Sequence, residues 1–532
     1  MQTEKTLSLF PVRSPSPRPD PGALVRDLLR PEAYPPPAPS GVELRHTHAS
    51  WVFLTEGEAW KVKRPVDYGF LDFSTVEKRR HCCEEEVRLG RRLAPDVYTG
   101  VVPIYAGPAG HGFVERGAVV DHAVRMRRLP DGDSASMLLA SGRLGPQHIE
   151  RLAERLARFY AEAPATPALG APSVLASHME ENHSQSLPSA GRFLDGELVE
   201  RLHQWQREAH AALSPRLEQR AAAARDGHGD LRLEHVYFED GDPDLVRVID
   251  PIEFNPRLRC GDPALDVAFL AMDLEANHRG DLAAWLLSSF ARAANDYDFY
   301  PVVDLYLSHR AWVRAKVACF VASDPRTAPA KVNRKAREAA SFLALAASYL
   351  RHPPQSAPVI AVGGVIGSGK TTLAAALGLA LELPVVSSDL TRKHLAGLAA
   401  TEAGGAALYS DEHTRRTYAE LCRRAGAVLD SGRGVILDAT FAAPATRAQT
   451  RAIAHQAGRP FRLVELDCDD QTLRRRLGRR HDGASVSDAR ADRLGSFRRS
   501  YRAPDELPSR ERLLLDGTLP VEELVRRVRD AI

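Results

Sequence analysis

The segment Gly364-Val365-Ile366-Gly367-Ser368-Gly369-Lys370-Thr371 fits G-x-x-x-x-G-K-[ST] at every fixed position. Glycines at these places let backbone N–H groups curl around phosphate oxygens. The N-terminus of a following helix adds positive potential. Lys370 would reach the outer phosphates of a nucleoside triphosphate, and Thr371 would offer its hydroxyl to Mg²⁺. The expected phosphate contacts are Gly364, Gly367, Ser368, Gly369, Lys370, Thr371 and Thr372. An unliganded glycine-rich turn is the plainer alternative, and the flanks argue against it. The apolar run Val359–Val362 precedes the loop and the helical pattern Thr371–Leu381 follows it.

Ser387-Ser388-Asp389 closes a second apolar run, with Arg392 on the next turn. An aspartate at the carboxyl ends of parallel strands faces the outer phosphate and can take the proton of an attacking hydroxyl. It can equally cap a helix over Leu390–Leu395, and the two roles are compatible. Val435–Asp438 reads as a buried strand ending in a carboxylate, which suits a second magnesium position. Thr440 is a weaker polar candidate. Leu473-Arg474-Arg475-Arg476-Leu477-Gly478-Arg479-Arg480 puts several guanidinium groups on one helix and its end. Such charge stabilises a phosphoryl group in transfer, though a solvated basic face has the same composition.

A second constellation lies upstream. His228-Gly229-Asp230 is followed about twenty residues later by Val246-Arg247-Val248-Ile249-Asp250. The first aspartate is placed to orient or deprotonate an acceptor hydroxyl, and the second to hold Mg²⁺ on phosphates. Either element alone is weak. Gly261-Asp262-Pro263 strengthens the pair, because Pro263 opens a helix that Asp262 can cap.

The elements that must position these residues form two blocks. The 532 residues suffice for three or four units at about 100–200 residues each. Met1–Pro21 reads as a disordered proline-rich tail, and 351–358 as an interdomain linker. Residues 22–350 begin with strands around Trp51–Leu54 and Ala59–Lys63, joined at Glu56-Gly57-Glu58, and continue with helices from Glu77 and from Pro146. That order implies an α+β unit with two lobes. Residues 359–532 alternate strand and helix, the mark of an α/β domain with a parallel sheet. Trp285, Phe299, Tyr300, Tyr306 and Trp312 read as core. Arg125-Met126-Arg127-Arg128 reads either as the hinge strand for adenine or as an exposed basic strand.

Lys+Arg 71 against Asp+Glu 69 leaves a net charge of +2, which argues against nucleic-acid backbone as a partner; only a 5′-hydroxyl end stays open. No apolar run reaches the ~20 residues of a membrane span, and Met1–Phe10 lacks the apolar core of a secretory signal. Six scattered cysteines without a C-x-x-C pair fit a reduced, cytoplasmic protein.

Residues 359–532 resemble the P-loop small kinases of the AAA-33 type, which include gluconate kinases, zeta toxins and the kinase half of polynucleotide kinases. The resemblance implies Asp389 as acceptor base, Arg392 near the acceptor, and Arg476 and Arg480 as lid arginines. Through Thr47–Pro65, Leu71–Pro103, His228–Tyr237 and Asp250–Glu275 the first block resembles the aminoglycoside-phosphotransferase and choline-kinase branch of the protein-kinase-like fold. It is similar to a bacterial subgroup in which that domain is fused to a P-loop kinase. This implies Asp230 as catalytic base, Asp250 as magnesium ligand and Lys61 on the α/β-phosphates, with Lys63 as a rival. One of Glu84, Glu85 and Glu86, with Glu86 preferred, would pair with the lysine. Ser50 would contact phosphate, and Asp266 would brace the catalytic loop.

This chain departs from the pattern at His235, where the relatives carry an asparagine that ligates metal. Its nucleotide loop also lacks the usual glycines. With Asp250, His235 forms an imidazole–carboxylate pair that admits Mn²⁺ beside Mg²⁺. The expectation is a bifunctional ATP-dependent phosphotransferase acting on hydroxyls of small molecules. The alternative is a ligand-sensing pseudokinase module that regulates a C-terminal P-loop kinase.

Overall fold

The computed structural model describes residues 21–69, 71–325, 327–349, 357–400, 402, 404–479 and 494–532. The expected tail up to residue 20, most of the expected linker and Arg480 lie outside these residues, while Pro21, placed in the tail by the sequence reading, opens the helix Pro21–Leu28. One unit runs to Leu129 and takes in Glu253–Asn255, and the other holds Pro130–Ile252 and Pro256–Ile532.

Six strands make the antiparallel sheet of the first unit: β1 (Glu43–His46), β2 (Ser50–Leu54), β3 (Glu58–Lys63), β4 (Tyr98–Gly107), β5 (Gly110–Gly112) and β6 (Ala118–Arg127). Their spatial order is β1-β2-β3-β6-β4-β5. The expected hairpin at Glu56-Gly57 joins β2 to β3, with Phe53 opposite Trp60. Period-two alternation sends Trp60 and Val62 to one face and Lys61 and Lys63 to the other. Trp60 and Val62 share a core with Leu24, Leu28, Tyr34 and Phe113. The lysine face meets Glu86 of the helix Val76–Gly90. That helix starts where the Thr75 hydroxyl accepts from the Lys78 N–H.

The second unit begins with helices. Proline occupies the first turn of Pro146–Glu162, Pro172–Ser186, Pro263–Ala276, Tyr300–Ser323 and Pro329–Ser348, where its missing N–H costs nothing. Asp262 caps Pro263–Ala276 as expected, accepting from Ala264 N–H. Trp285, Phe299, Tyr300, Tyr306 and Trp312 are all buried in this part, as the sequence implies. Short strands β7 (Arg225–Asp226) and β10 (Cys260–Gly261) pair, as do β8 (Val236–Phe238) and β9 (Val246–Val248).

A five-stranded parallel sheet follows: β11 (Val359–Gly364), β12 (Val385–Ser387), β13 (Val435–Asp438), β14 (Phe461–Asp467) and β15 (Arg512–Asp516), ordered β12-β13-β11-β14-β15. The fold is therefore multi-domain, an α+β assembly followed by an α/β P-loop domain with a parallel sheet. One local expectation needs correction. The second strand stops at Ser387, and Ser388–Leu395 is already helix, so Ser387 holds the cap position and Asp389 lies in the first turn. Among the described residues no helix is long and apolar enough to cross a membrane.

The outer edge of β12 meets the helical segment of the same unit. Val385 N–H donates to Ser288 Oγ (3.1 Å), and Tyr297 OH donates to Val385 O (3.2 Å). Arg433 pairs with Asp304 at 2.5 Å, and Arg424 donates to Asn295 Oδ1 at 2.6 Å. An edge strand needs such cover, because its open backbone groups otherwise face solvent or the wrong partner. Replacing both side chains (Ser288→Ala with Tyr297→Phe) orphans a buried donor and a buried acceptor, at about 1–3 kcal/mol each. The urea midpoint of the full chain is expected to fall. Tyr300→Phe is the control: its buried hydroxyl has no partner among the described residues, so its loss should be neutral or stabilising. Equal midpoints for the double variant and wild type would refute the docking.

Candidate active site

The phosphate loop is assembled by β11 and the helix Lys370–Leu381. Gly364 has φ 131°, and a Cβ there would stand 2.4 Å from Leu466 O, so the turn off β11 admits only glycine. Gly369, at φ 100°, holds the position just before the helix. Lys370 Nζ donates to Val365 O at 2.9 Å, which folds the side chain back over the loop. Thr371 Oγ1 donates to Asp438 Oδ2 at 2.8 Å, joining the helix start to the end of β13. Thr372 is exposed beside it. The Ser368 hydroxyl is buried with no partner among the described residues. A loop with an orphaned hydroxyl, a lysine and a hydroxyl–carboxylate pair fits a phosphate chain and a hard cation.

Around the loop, Asp389 is half-buried and its side chain makes no hydrogen bond or ion pair among the described residues. Arg392 is buried. It donates to Leu408 O (2.6 Å) and Thr414 Oγ1 (3.2 Å) and lies over the Tyr409 ring, while its Nε has no partner among the described residues. Arg476 donates to Ser368 O (3.1 Å) and Gly517 O (2.8 Å), bracing the loop from behind. Thr440 Oγ1 shares a hydrogen bond with Tyr418 OH at 3.3 Å.

The second constellation is a separate site in the same unit, organised by Asp266. Its carboxylate accepts from His228 N–H (2.7 Å), Gly229 N–H (3.0 Å), Tyr160 OH (3.1 Å) and Arg310 Nη2 (3.2 Å). The loop that carries Asp230 is thereby fixed. His228 Nε2–H donates to Ile249 O (2.9 Å), and its Nδ1 accepts from Asp230 N–H (3.3 Å). Burial lowers this histidine to about 4, so it stays neutral near pH 7. Asp230 is held by Arg232 through two bonds of 2.9 Å. Burial alone would raise the Asp230 carboxyl, but Arg232 and His235 keep it well below the usual carboxylate range. His235 Nδ1–H donates to Asp230 O (2.8 Å), so its Nε2 accepts from Arg232 Nη2 (3.4 Å) and lies 3.6 Å from Asp250 Oδ2. Asp250 takes φ 63°, an uncommon conformation for a non-glycine residue.

In the first unit Glu86 is fully buried between two lysines, with Lys61 Nζ at 2.8 Å and Lys63 Nζ at 2.5 Å. Lys63 also pairs with Glu253, and these two carboxylates raise the lysine above its ordinary value against the pull of burial. Lys61 keeps 11% of its side chain exposed and Lys63 only 1%. Lys61 is therefore the lysine with reach. Ser50 opens β2 just after the hairpin turn 47–49 and is buried. Arg125 pairs with Glu58 and lies over Trp60, and Arg127 pairs with Asp96. Sequence reading missed Glu253 and Arg232. Arg232 was visible two positions after Asp230, whereas Glu253 had only its spacing from Asp250 to mark it.

Residues 359–504 match the AAA domain family AAA_33. An uncharacterized protein of Mycobacterium tuberculosis (strain ATCC 25618 / H37Rv) is 30% identical over 499 residues, covering 90% of this chain and 95% of its own. A Mycobacterium bovis protein matches to the same extent. The chain belongs to their family. Among solved structures, a gluconokinase from Sinorhizobium meliloti 1021 is 20% identical over 34% of this chain and 92% of its own, with TM-score 0.26. The GDP and kanamycin complex of APH(2")-IIia is 13% identical over 57% of this chain and 93% of its own, with TM-score 0.36. With the AAA-domain match and the loop geometry, the C-terminal domain is an ATP-dependent kinase of the P-loop class.

His228 gives the site a pH signature. An unfolded histidine titrates near 6.5, so on acidification the unfolded chain takes up the proton first. Stability then rises with pH between about 4 and 6.5, and acidifying through that window removes up to about 3 kcal/mol. Urea titrations at several pH values should show this slope in wild type and a flatter one in His228→Gln. Parallel slopes would mean that His228 is not buried neutral.

Proposed function

We propose that the chain is a cytoplasmic, bifunctional ATP-dependent phosphotransferase, with functional domains at 22–350 and 359–532. Each domain would transfer the ATP γ-phosphate to a hydroxyl of a small-molecule acceptor. The observation that carries this reading is the Thr371–Asp438 bond at the mouth of the Lys370 loop. It sets a hydroxyl and a carboxylate where Mg²⁺ on the phosphates needs two oxygen ligands. When bound there, the cation neutralises charge on the phosphates. Ser368 and the loop N–H groups bind the phosphate chain, and Lys370 swings from Val365 O to its outer end. Asp389, whose carboxylate has no other partner among the described residues, accepts the proton of the incoming hydroxyl. Arg392, held by Leu408 O and Thr414, would stand near the acceptor. Arg476 keeps the loop in shape.

In the upstream domain Lys61, steadied by Glu86, would hold phosphate oxygens, with Ser50 nearby on the hairpin. Asp230 would orient the acceptor, and Asp250 with His235 would hold the cation. The position of His235 Nε2 3.6 Å from Asp250 Oδ2 supports that ligand pair, with Arg232 Nη2, 3.4 Å from the same nitrogen, giving way to the cation. The Arg232–Asp230 pair favours a second reading, in which this domain binds nucleotide and a ligand without turnover. An arginine-bound carboxylate is a poor proton acceptor.

Assays of the full chain against sugars, nucleosides and sugar nucleotides should separate the domains. Lys370→Ala is expected to cut turnover of one acceptor set by about 10²–10³-fold or more. Asp230→Asn should cut another set by about 10²–10⁴-fold with ATP binding kept. Undiminished turnover of every acceptor in Lys370→Ala would refute the P-loop assignment. An unchanged profile in Asp230→Asn, beside intact nucleotide binding, would establish the non-catalytic reading.

Metal preference supplies a second test. Imidazole favours Mn²⁺ over Mg²⁺. In a Lys370→Ala background, Mn²⁺ should support ATP binding better than Mg²⁺, and His235→Asn should narrow the difference. Identical Mn²⁺/Mg²⁺ ratios with and without His235 would return that residue to a packing role.

A further inference from the structure

Two Glu-x-x-His tetrads face each other away from the phosphate sites. Glu180-Glu181-Asn182-His183 lies near the end of the helix Pro172–Ser186, and Glu200-Arg201-Leu202-His203 near the start of Gly196–Ala221. A spacing of three places each glutamate and histidine on one face of its helix. The pairing between helices is crossed, as antiparallel neighbours require. His203 Nε2 lies 3.0 Å from Glu180 Oε2, and His183 Nε2 lies 3.0 Å from Glu200 Oε1. The two imidazoles stack at 3.8 Å with their planes 7° apart. Trp312 stands edge-on behind both, at 6.3 and 6.5 Å. Ligand atoms of Glu180, His183 and His203 all lie within 4.8 Å of one another.

We propose that Glu180, His183, Glu200 and His203 bind one divalent ion of the zinc class. Two imidazoles and two carboxylates form a mixed nitrogen–oxygen set, which suits such ions better than Mg²⁺ or Ca²⁺. Ligands about 2.0–2.1 Å from a tetrahedral ion stand about 3.3 Å apart, so both crossed pairs are already near ligand spacing. The histidines are mostly covered, with 16% and 11% of their side chains exposed, and so are held in place. The carboxylates are 54% and 61% exposed, and Glu180 has only a solvated 3.8 Å pairing with Arg207 to give up, so both can turn onto an ion arriving from solvent. Bound, the ion would cross-link two helices that otherwise meet here through hydrogen bonds and a ring stack. Neither proposed phosphate site uses these residues, so the assignment stands or falls independently of the kinase reading.

Full-length protein treated with chelator and returned to buffer with excess Mg²⁺ is the material for the test. Calorimetric titration with Zn²⁺ should give one tight site, and Co²⁺ at the same site should show visible absorption bands of tetrahedral intensity. Zn²⁺ should also raise the melting temperature. His183→Ala with His203→Ala is expected to weaken Zn²⁺ by more than about 100-fold and to abolish the cobalt bands. Should that pair fail to fold, Glu180→Gln with Glu200→Gln changes only exposed atoms, keeps the ring stack and should weaken Zn²⁺ by about 10–100-fold. Absence of a tight site in wild type would overturn the proposal. So would the same affinity, stoichiometry and cobalt spectrum in the folded variants.

Discussion

The outer edge of β12 is the constraint on which the arrangement of the P-loop domain depends. Its neighbour β13 covers one side, and the other side would present open backbone groups to water. Ser288 and Tyr297 close that edge from the helical segment. The chain leaves β12 straight into Ser388–Leu395, so the docked strand also sets the helix that carries Asp389 and Arg392. Arg424 extends the same connection. Its guanidinium binds Thr391 Oγ1 (3.0 Å) in that helix, Glu420 Oε1 (2.9 Å), and Asn295 Oδ1 across the junction (2.6 Å). A buried arginine with partners on both sides resists separation, because parting them would cost the charge-assisted bond to Asn295 Oδ1. The proposed acceptor side of the P-loop kinase is therefore held by the segment that also carries Asp230.

Those parts of the fold governed by local rules were legible in the sequence. The phosphate loop needs its glycines, lysine and threonine in consecutive order, so the motif and its flanking strand and helix could be read directly. The proline-started helices and the Glu56-Gly57 hairpin are likewise written locally. Asp389 shows where local reading stops. A polar residue after a short strand fits a strand end, a cap or a first helical turn, and only the immediate start of the helix at Ser388 decides among them.

What sequence could not show depends on chain segments far apart. Glu253 joins Lys63 across 190 positions, and Asp266 reaches Gly229 across 37. Alternation along β3 did place both lysines on one face, but not how Glu86 would serve both. Burial separates them: Lys63 is locked between two carboxylates, and Lys61, paired with Glu86 alone of these two, is the less enclosed lysine. The crossed tetrads at His183 and His203 have the same character. Each is an ordinary pair of polar residues on its own helix, and only antiparallel packing turns two of them into a four-donor cluster.

The two proposed acceptor carboxylates sit in opposite electrostatic settings, and this bears on how each would act. The Asp389 side chain is half-buried without a partner among the described residues, so none of these holds it in place. Asp230 is gripped by Arg232 and stays ionised far below neutral pH, which makes it a weak base. Phosphoryl transfer tolerates a weak base, because its loose transition state asks chiefly for alignment and charge neutralisation, and the hydroxyl proton is lost late. A carboxylate fixed by Arg232 and by a loop pinned to Asp266 is well suited to alignment. The pairing thus lowers proton affinity and raises positional order together. Whether the upstream domain turns over depends on which of these two effects its acceptor requires more.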